Sequence, residues 1–133
     1  MTQQRRDNKS TEFGIWLRQQ KEIDSKLGFV ASNVDYVWCD YKKGFWMLIE
    51  EKRYRWMPKW SQVKIFRILD AVAKNDINYR GFHILVFENT NPDDGYVWLD
   101  GTKIFRDDLL KFLRFENDNY DSYFPPYNLR RLI

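Results

Sequence analysis

The sequence contains very little of the residue types on which several common kinds of site depend. Cys39 is the only cysteine among 133 residues, so the chain can form neither an internal disulfide nor a cysteine zinc cluster. His83 is the only histidine, which leaves a catalytic Ser-His-Asp set without support. No glycine-rich phosphate-binding loop is present either. We predict structural roles for Cys39 and His83: Cys39 is expected to be a small buried side chain, and His83 a hydrogen-bonded histidine of the core.

Long hydrophobic runs are also missing. No apolar segment approaches the roughly 18 residues that a membrane-spanning helix needs. The basic residues near the N-terminus are not followed by the apolar stretch of a secretory signal. We therefore expect a cytoplasmic protein in a reducing compartment, with no membrane partner.

The overall composition is typical of a globular protein. Apolar residues make up 44% of the chain and charged residues 31%, which is enough apolar surface for a core and favours a soluble fold. The net charge of +3 gives only weak support for a nucleic-acid partner. Aromatic residues reach 18%, and most of these rings are expected in the core.

The pattern along the chain predicts one layered domain of the α/β or α+β class, with a central mixed sheet flanked by helices. It predicts a flexible arm over residues 1–9, the domain over 10–115 and an irregular tail over 116–133. Within the domain, helices alternate with two hairpins. The predicted elements are a helix from residue 10 or 11 to 23, strands at 34–41 and 44–54, a helix at 61–76, strands at 81–89 and 95–100, and a short helix within 105–115.

Two of the predicted helices place apolar residues on one face at helical spacing. In the first helix these positions are Ile15, Trp16 and Ile23, which share their face with Gln19. In the second they are Ile65, Ile68, Leu69 and Val72. Glu12 projects from the first of these faces, where a carboxylate needs a partner.

The stretch MLIEEKRYRW, residues 47–56, becomes charged in the second half of a strand. Alternation along the strand places Glu50 and Lys52 on one face and Glu51 on the other. If Lys42 and Lys43 form the turn, Asp35 lies directly opposite Glu50. A register slip of one residue would send Asp35 to the other face, and Asp40 could then take its place.

Two carboxylates this close repel each other unless a cation lies between them. Mg²⁺ is the obvious candidate, because it is held by one or two carboxylates together with water and phosphate. A neighbouring lysine can offset charge on a phosphate or orient the attacking water. The pattern therefore favours phosphodiester hydrolysis. The competing interpretation is a solvated strand end whose charges protect a sheet edge.

Asp35, followed by Glu50-Glu51-Lys52 at the end of an apolar strand, resembles the PD-(D/E)XK nuclease superfamily, which includes restriction endonucleases and archaeal Holliday junction resolvases. The resemblance covers roughly residues 10–90 and implies a restriction endonuclease-like core of helix, three strands, helix and strand. Only residues 28–32 are available for the extra strand, and Val34 stands where the family name has proline. The resemblance also implies Mg²⁺ or Mn²⁺ as cofactor and DNA as substrate, with RNA not excluded.

The resemblance assigns catalytic roles to Glu12, Asp35, Glu50, Lys52 and Gln62. It makes Asp35 and Glu50 metal ligands, together with the backbone carbonyl of Glu51. Gln62 is also supported by its spacing, since it lies one turn before Phe66 on the face expected to meet the sheet.

Basic and aromatic residues alternate just beyond this motif, as suits a phosphate backbone and unstacked bases. The candidate nucleic-acid contacts are Arg53, Arg55, Trp56, Lys59, Trp60 and Lys64. The alternative is that Trp56 and Trp60 pack as a lid on the core while the cations stay solvated.

These patterns together predict a metal-dependent nuclease, an endonuclease or exonuclease that could be structure-specific or junction-resolving. So short a chain leaves little room for a separate recognition domain, so we expect a homodimer or a larger complex. One alternative is an inactive nucleic-acid-binding or protein-interaction module of the same fold. Another is a structural protein whose aromatic segment at 120–129 docks onto a partner.

Overall fold

The structure, a computed structural model, describes residues 11–124, and the chain divides after Asn33 into two compact units. The predicted arm at 1–9 and the last part of the predicted tail, 125–133, lie outside the described residues. Among the described residues, no helix has both the length and the apolar surface needed to cross a bilayer.

The first unit is built from short helices. Helix α1 spans Glu12–Gln19, and the Thr11 hydroxyl caps it by accepting a hydrogen bond from the Gly14 amide at 3.1 Å. The prediction of one helix reaching residue 23 is wrong, because Gln20 is extended and two 3₁₀ turns follow, at Lys21–Ile23 and Ser25–Leu27. No residue of α1 is buried, so its apolar stripe does not build a core.

The second unit contains a five-stranded sheet and two helices. Its strands are β1 (Tyr36–Asp40), β2 (Phe45–Lys52), β3 (Tyr79–Phe87), β4 (Val97–Leu99) and β5 (Thr102–Ile104). Its helices are α2 (Trp60–Ala73) and α3 (Arg106–Leu113). The strand order follows the chain, with β2 and β3 parallel and joined through α2, whereas all other neighbours are antiparallel. This confirms the predicted class, α+β with a mixed sheet flanked by helices.

The alternation of side chains gives the sheet two buried faces. On one face, Met47, Ile49, Leu85, Phe87 and Val97 of the sheet pack against Leu109 and Phe112 of α3. On the other, Leu48, Tyr79, Phe82, Ile84 and Val86 pack against Phe66 of α2 and Phe124 of the segment after α3. Burying each large apolar side chain contributes about 1.5–3 kcal/mol, so both faces stabilise the central strands β2 and β3. Glu50 and Lys52 continue the α2 face of β2.

The face that α2 buries differs from the predicted one. Its buried residues are Phe66 and Asp70, whereas Ile68, Leu69 and Val72 are exposed. The buried carboxylate of Asp70 accepts hydrogen bonds from the Tyr79 hydroxyl at 2.7 Å and the Ser122 hydroxyl at 2.6 Å, and pairs with Lys74. These partners satisfy a charge that would otherwise be costly to bury, so the helix turns its acidic position toward the sheet.

Two further expectations differ from the structure at the sheet edges. Residues 28–32 form no strand, while β5 adds one after the tight turn at Asp100 and Gly101, whose φ angles are 51° and 87°. Cys39 is exposed, because β1 is an edge strand in which only Asp40 is even half-buried. The prediction of a buried Cys39 is therefore wrong.

Candidate active site

The first hairpin has the register that places Asp35 opposite Glu50. Tyr36 pairs with Ile49, so the next pair outward joins Asp35 to Glu50. The turn at 41–44 is held by Asp40, whose carboxylate accepts hydrogen bonds from the amides of Lys42 and Lys43 at 3.1 and 3.3 Å. Asp40 thus organises the turn and does not replace Asp35.

Asp35 and Glu50 are tied together by hydrogen bonds between backbone and carboxylate. The Asp35 amide donates to Glu50 Oε1 at 3.2 Å, and the Glu51 amide donates to Asp35 Oδ2 at 2.9 Å. Each carboxylate is thereby anchored on the strand that carries the other. Asp35 is held in place although it lies one residue before β1.

Glu50 is a buried acid with a raised pKa. The residue is 2% exposed, and burial raises its pKa, with the nearby charge of Asp35 as the second cause. Lys52 opposes this shift, since its Nζ lies 3.1 Å from Glu50 Oε2. The net effect is still a raised pKa, because burial and the Asp35 charge together outweigh the effect of Lys52.

Gln62 connects this charged pair to helix α2. Its Oε1 accepts hydrogen bonds from Lys52 Nζ at 3.1 Å and from the Lys59 amide at 3.3 Å. The lysine is therefore fixed between a carboxylate from its own strand and an amide oxygen from the helix. We call Asp35, Glu50, Lys52 and Gln62 the charged cluster.

Two other predicted site residues, Glu51 and Glu12, are not part of the charged cluster. The Glu51 side chain points to the opposite face of β2 and forms an ion pair with Arg53 at 3.6 Å. Its proposed role as a metal ligand concerns only its backbone carbonyl, and that role stays a prediction. Glu12 is the first residue of α1 in the first unit, and its catalytic role also stays a prediction.

The donor atoms of the charged cluster suit a hard divalent cation. Asp35, just before β1, and Glu50 on β2 supply oxygen donors, and the pKa of Glu50 is raised first by burial and then by the charge of Asp35. A cation between the two carboxylates would offset the second of these effects. Among residues 11–124, no group of three or more His, Cys, Asp or Glu side chains is arranged to hold a metal. A cation here would therefore need backbone oxygen and water as its remaining ligands, as Mg²⁺ commonly has.

The basic and aromatic residues after β2 form an exposed surface. Trp56 and Trp60 are 69% and 77% exposed, so the alternative of an aromatic lid on the core is wrong. The Lys64 ammonium lies 5.4 Å from the Trp60 ring centre, a cation–π arrangement. The positive φ angles of Tyr54 and Arg55, 56° and 60°, turn the chain out of β2 toward this surface.

His83 has the structural role predicted for it. Its Nδ1 lies 2.7 Å from Asp100 Oδ2 and its Nε2 lies 2.6 Å from the Arg80 carbonyl oxygen. Each ring nitrogen therefore faces an oxygen atom, and the two contacts fix the orientation of the ring. The ring is fully buried and fully bonded, and it is not available as a catalytic base.

Sequence reasoning missed the hydrogen-bonded group of Asp70, Tyr79 and Ser122. Burial raises the pKa of Tyr79 well above its ordinary range, with the hydrogen bond to Asp70 as the second cause. Ser122 also accepts a hydrogen bond from the Phe82 amide at 3.0 Å, so it fastens the chain after α3 onto β3. The available signal was an aspartate on the same helical face as Phe66.

Comparison with known proteins adds no family to this description. No protein-family model, no curated protein and no solved structure matches the chain. The charged cluster and the surface beside it are therefore the basis for a functional assignment.

Proposed function

We propose that the protein is a metal-dependent nuclease of the PD-(D/E)XK type that hydrolyses phosphodiester bonds in DNA. The observation that carries this proposal is the charged cluster, in which a buried glutamate with a raised pKa, a facing aspartate and a lysine meet at the end of one strand. Glu50 is buried and β2 lies between β1 and β3 in the sheet, so the protection of a sheet edge does not account for these charges.

Asp35 and Glu50 would hold the cation, with the Glu51 carbonyl as a third ligand by the family resemblance. When bound, Mg²⁺ or Mn²⁺ supplies positive charge beside the phosphate and lowers the pKa of coordinated water. The residues of this chain set where that charge lies: the Glu51 amide orients Asp35, and the Asp35 amide orients Glu50.

Lys52 would contribute to the chemical step directly. Hydrolysis joins a water oxygen to phosphorus, breaks the bond to the leaving sugar oxygen and delivers a proton to that oxygen. The Lys52 side chain is 20% exposed, so its ammonium can approach a phosphate while remaining bonded to Glu50 and Gln62. It would then offset the negative charge that builds on the phosphate oxygens.

The exposed surface beyond β2 supports a polyanionic substrate. Lys59 and Lys64 lie at the start of α2, next to two tryptophans that offer stacking faces. Lysine contacts neutralise phosphates and aromatic faces bind unstacked bases without sequence preference. The same surface also favours a second candidate function, nucleic-acid binding without cleavage.

Cleavage assays separate the two functions. Supercoiled, linear, single-stranded and branched DNA, and RNA as a comparison, are incubated with the protein in Mg²⁺ or Mn²⁺ and then in EDTA. We expect metal-dependent cleavage that falls about 100-fold or more in Asp35→Asn, Glu50→Gln and Lys52→Met. The matched control is Asp107→Asn, which removes an exposed carboxylate on α3.

Three results would overturn the nuclease assignment. Cleavage that persists in EDTA, or that is equal in all variants, would come from another enzyme in the preparation. Binding without cleavage under every condition selects the second candidate.

A further inference from the structure

A cleft lies on the same sheet face as the charged cluster. Glu50 and Lys52 are the register partners of Ile84 and Val86 on β3, and Val86 pairs in turn with Trp98 on β4. Neighbouring strands are separated by about 4.8 Å. Ile84, Val86 and Trp98 form the floor of the cleft, which therefore begins one strand away from Lys52.

The walls come from two loops. Arg55 and Met57 approach from the segment between β2 and α2, and Tyr123 approaches from the segment after α3. The Arg55 guanidinium lies 5.1 Å from the Trp98 ring centre and pairs with Glu88 at 3.0 Å, which holds it at the rim. The cleft thus has an apolar aromatic interior and a single cationic edge.

Its size suits one small ring system. The cleft volume is about 230 Å³, below the roughly 300–1,000 Å³ of sites that enclose drug-sized ligands. A flat ring could lie against Trp98 while a polar edge or an adjoining phosphate meets Arg55, whose planar fork suits both contacts. A nucleobase attached to a strand has this combination of an apolar face and a nearby anion.

We propose that this cleft binds one unstacked nucleobase of the substrate strand, next to the phosphate that the charged cluster attacks. The inference rests on the proposed function for the identity of the substrate. It adds a distinct role for Arg55 and Trp98: they hold a base and so place the adjoining phosphate one strand away, at Lys52. The substrate must then be single-stranded or locally unpaired where it is cut.

A binding experiment in EDTA tests the cleft without relying on cleavage. Fluorescence anisotropy compares a labelled single strand with a strand of the same length whose nucleotides all lack bases. Stacking of a base is worth about five- to 150-fold in affinity, and we expect the full chain to prefer the intact strand by that factor. Trp98→Leu and Arg55→Ala should each remove much of this preference.

The matched control is Arg53→Ala. Arg53 carries the same charge as Arg55 and lies two residues before it, but its side chain does not line the cleft. It should weaken binding of both strands alike. Trp98 packs against the core, so its variant is checked by urea unfolding. Arg55 is exposed, and its variant gives an answer that does not depend on folding.

The possible outcomes separate this inference from the nuclease assignment. If the wild type binds both strands equally, or if Trp98→Leu and Arg55→Ala keep the full preference, the cleft does not bind a base, whatever the cleavage assay shows. A base preference that both variants reduce supports the cleft even if no DNA is cut. Failure to bind either strand overturns the cleft as a base site, and the nuclease assignment is then decided by the cleavage assay in Mg²⁺ or Mn²⁺.

Discussion

Replacing Glu50 by glutamine should make the protein more stable while it removes the proposed activity. Glu50 is buried and its pKa is raised, first by burial and then by the charge of Asp35. The ionised side chain is therefore less favourable in the folded chain than in the unfolded one. Glutamine has nearly the same shape, carries no charge and can still accept the hydrogen bond from the Asp35 amide.

The size of the gain follows from opposing terms. The neutral side chain recovers the free energy that burial and the Asp35 charge cost the ionised one. Against this, Lys52 loses its ion pair at 3.1 Å but keeps its hydrogen bond to Gln62. We expect a net gain of roughly 0.5–2 kcal/mol at neutral pH, the range typical of stabilising substitutions at functional sites.

The gain should also depend on pH with a definite sign. Between the ordinary glutamate pKa of about 4.3 and the raised pKa of Glu50, the folded chain binds more protons than the unfolded chain, so the unfolding free energy falls as pH rises. Below this window Glu50 is neutral in both states. The advantage of Glu50→Gln should therefore be present above the window and disappear below it.

Urea unfolding followed by tryptophan fluorescence measures both effects. Glu51→Gln is the matched control, because its half-buried carboxylate lies on the opposite face and pairs with solvent-exposed Arg53 and with the exposed Tyr36 side chain. That variant should lose less than about 1 kcal/mol. A Glu50→Gln protein that is less stable than wild type at neutral pH, or equally stabilised at acidic pH, would refute the reasoning.

Three further substitutions test other contacts. Lys52→Met leaves the neighbouring buried carboxylate without its cation and should cost about 3–5 kcal/mol in urea unfolding, a loss that adding Glu50→Gln should largely restore. Asp70→Ala leaves the buried Tyr79 hydroxyl without its acceptor and should lower the free energy of unfolding by about 1–3 kcal/mol. An unchanged melting temperature in calorimetry would show that this hydrogen bond does not stabilise the fold. Gly81→Ala places a methyl group 2.6 Å from the Tyr120 carbonyl oxygen at a φ of 94°, so the folded chain should lose about 1–3 kcal/mol of stability and its melting temperature should fall. An unchanged melting temperature would indicate that the chain after α3 can move away.

The charged cluster could be predicted because strand geometry is strict. The side-chain period of two separates Glu50 and Lys52 from Glu51 without any knowledge of the fold. The turn fixes which residues face each other, and Asp40 holds that turn where the sequence placed it. One hairpin therefore contains nearly all the information needed to bring Asp35 to Glu50.

The buried face of α2 could not be predicted in the same way. Apolar residues occupy much of the helix surface, and the exposed stripe at Ile68, Leu69 and Val72 is as regular as the buried one. The buried face carries Phe66, which packs on Phe82, and Asp70, whose partners Tyr79 and Ser122 lie outside the helix. These contacts join segments distant in sequence, and helical periodicity alone does not contain them.

The side-chain oxygen of Gln62 accepts hydrogen bonds from two lysines, and it thereby links the motion of the N-terminal end of α2 to the position of Lys52, the proposed catalytic lysine. This oxygen closes the first turn of α2 through the Lys59 amide and also holds Lys52. Helix ends open and close locally far more often than whole domains unfold. When this turn frays and Gln62 moves away, Lys52 loses one of its two anchors, so the protection of the Lys59 amide against hydrogen exchange reports the fraction of time that the lysine keeps both.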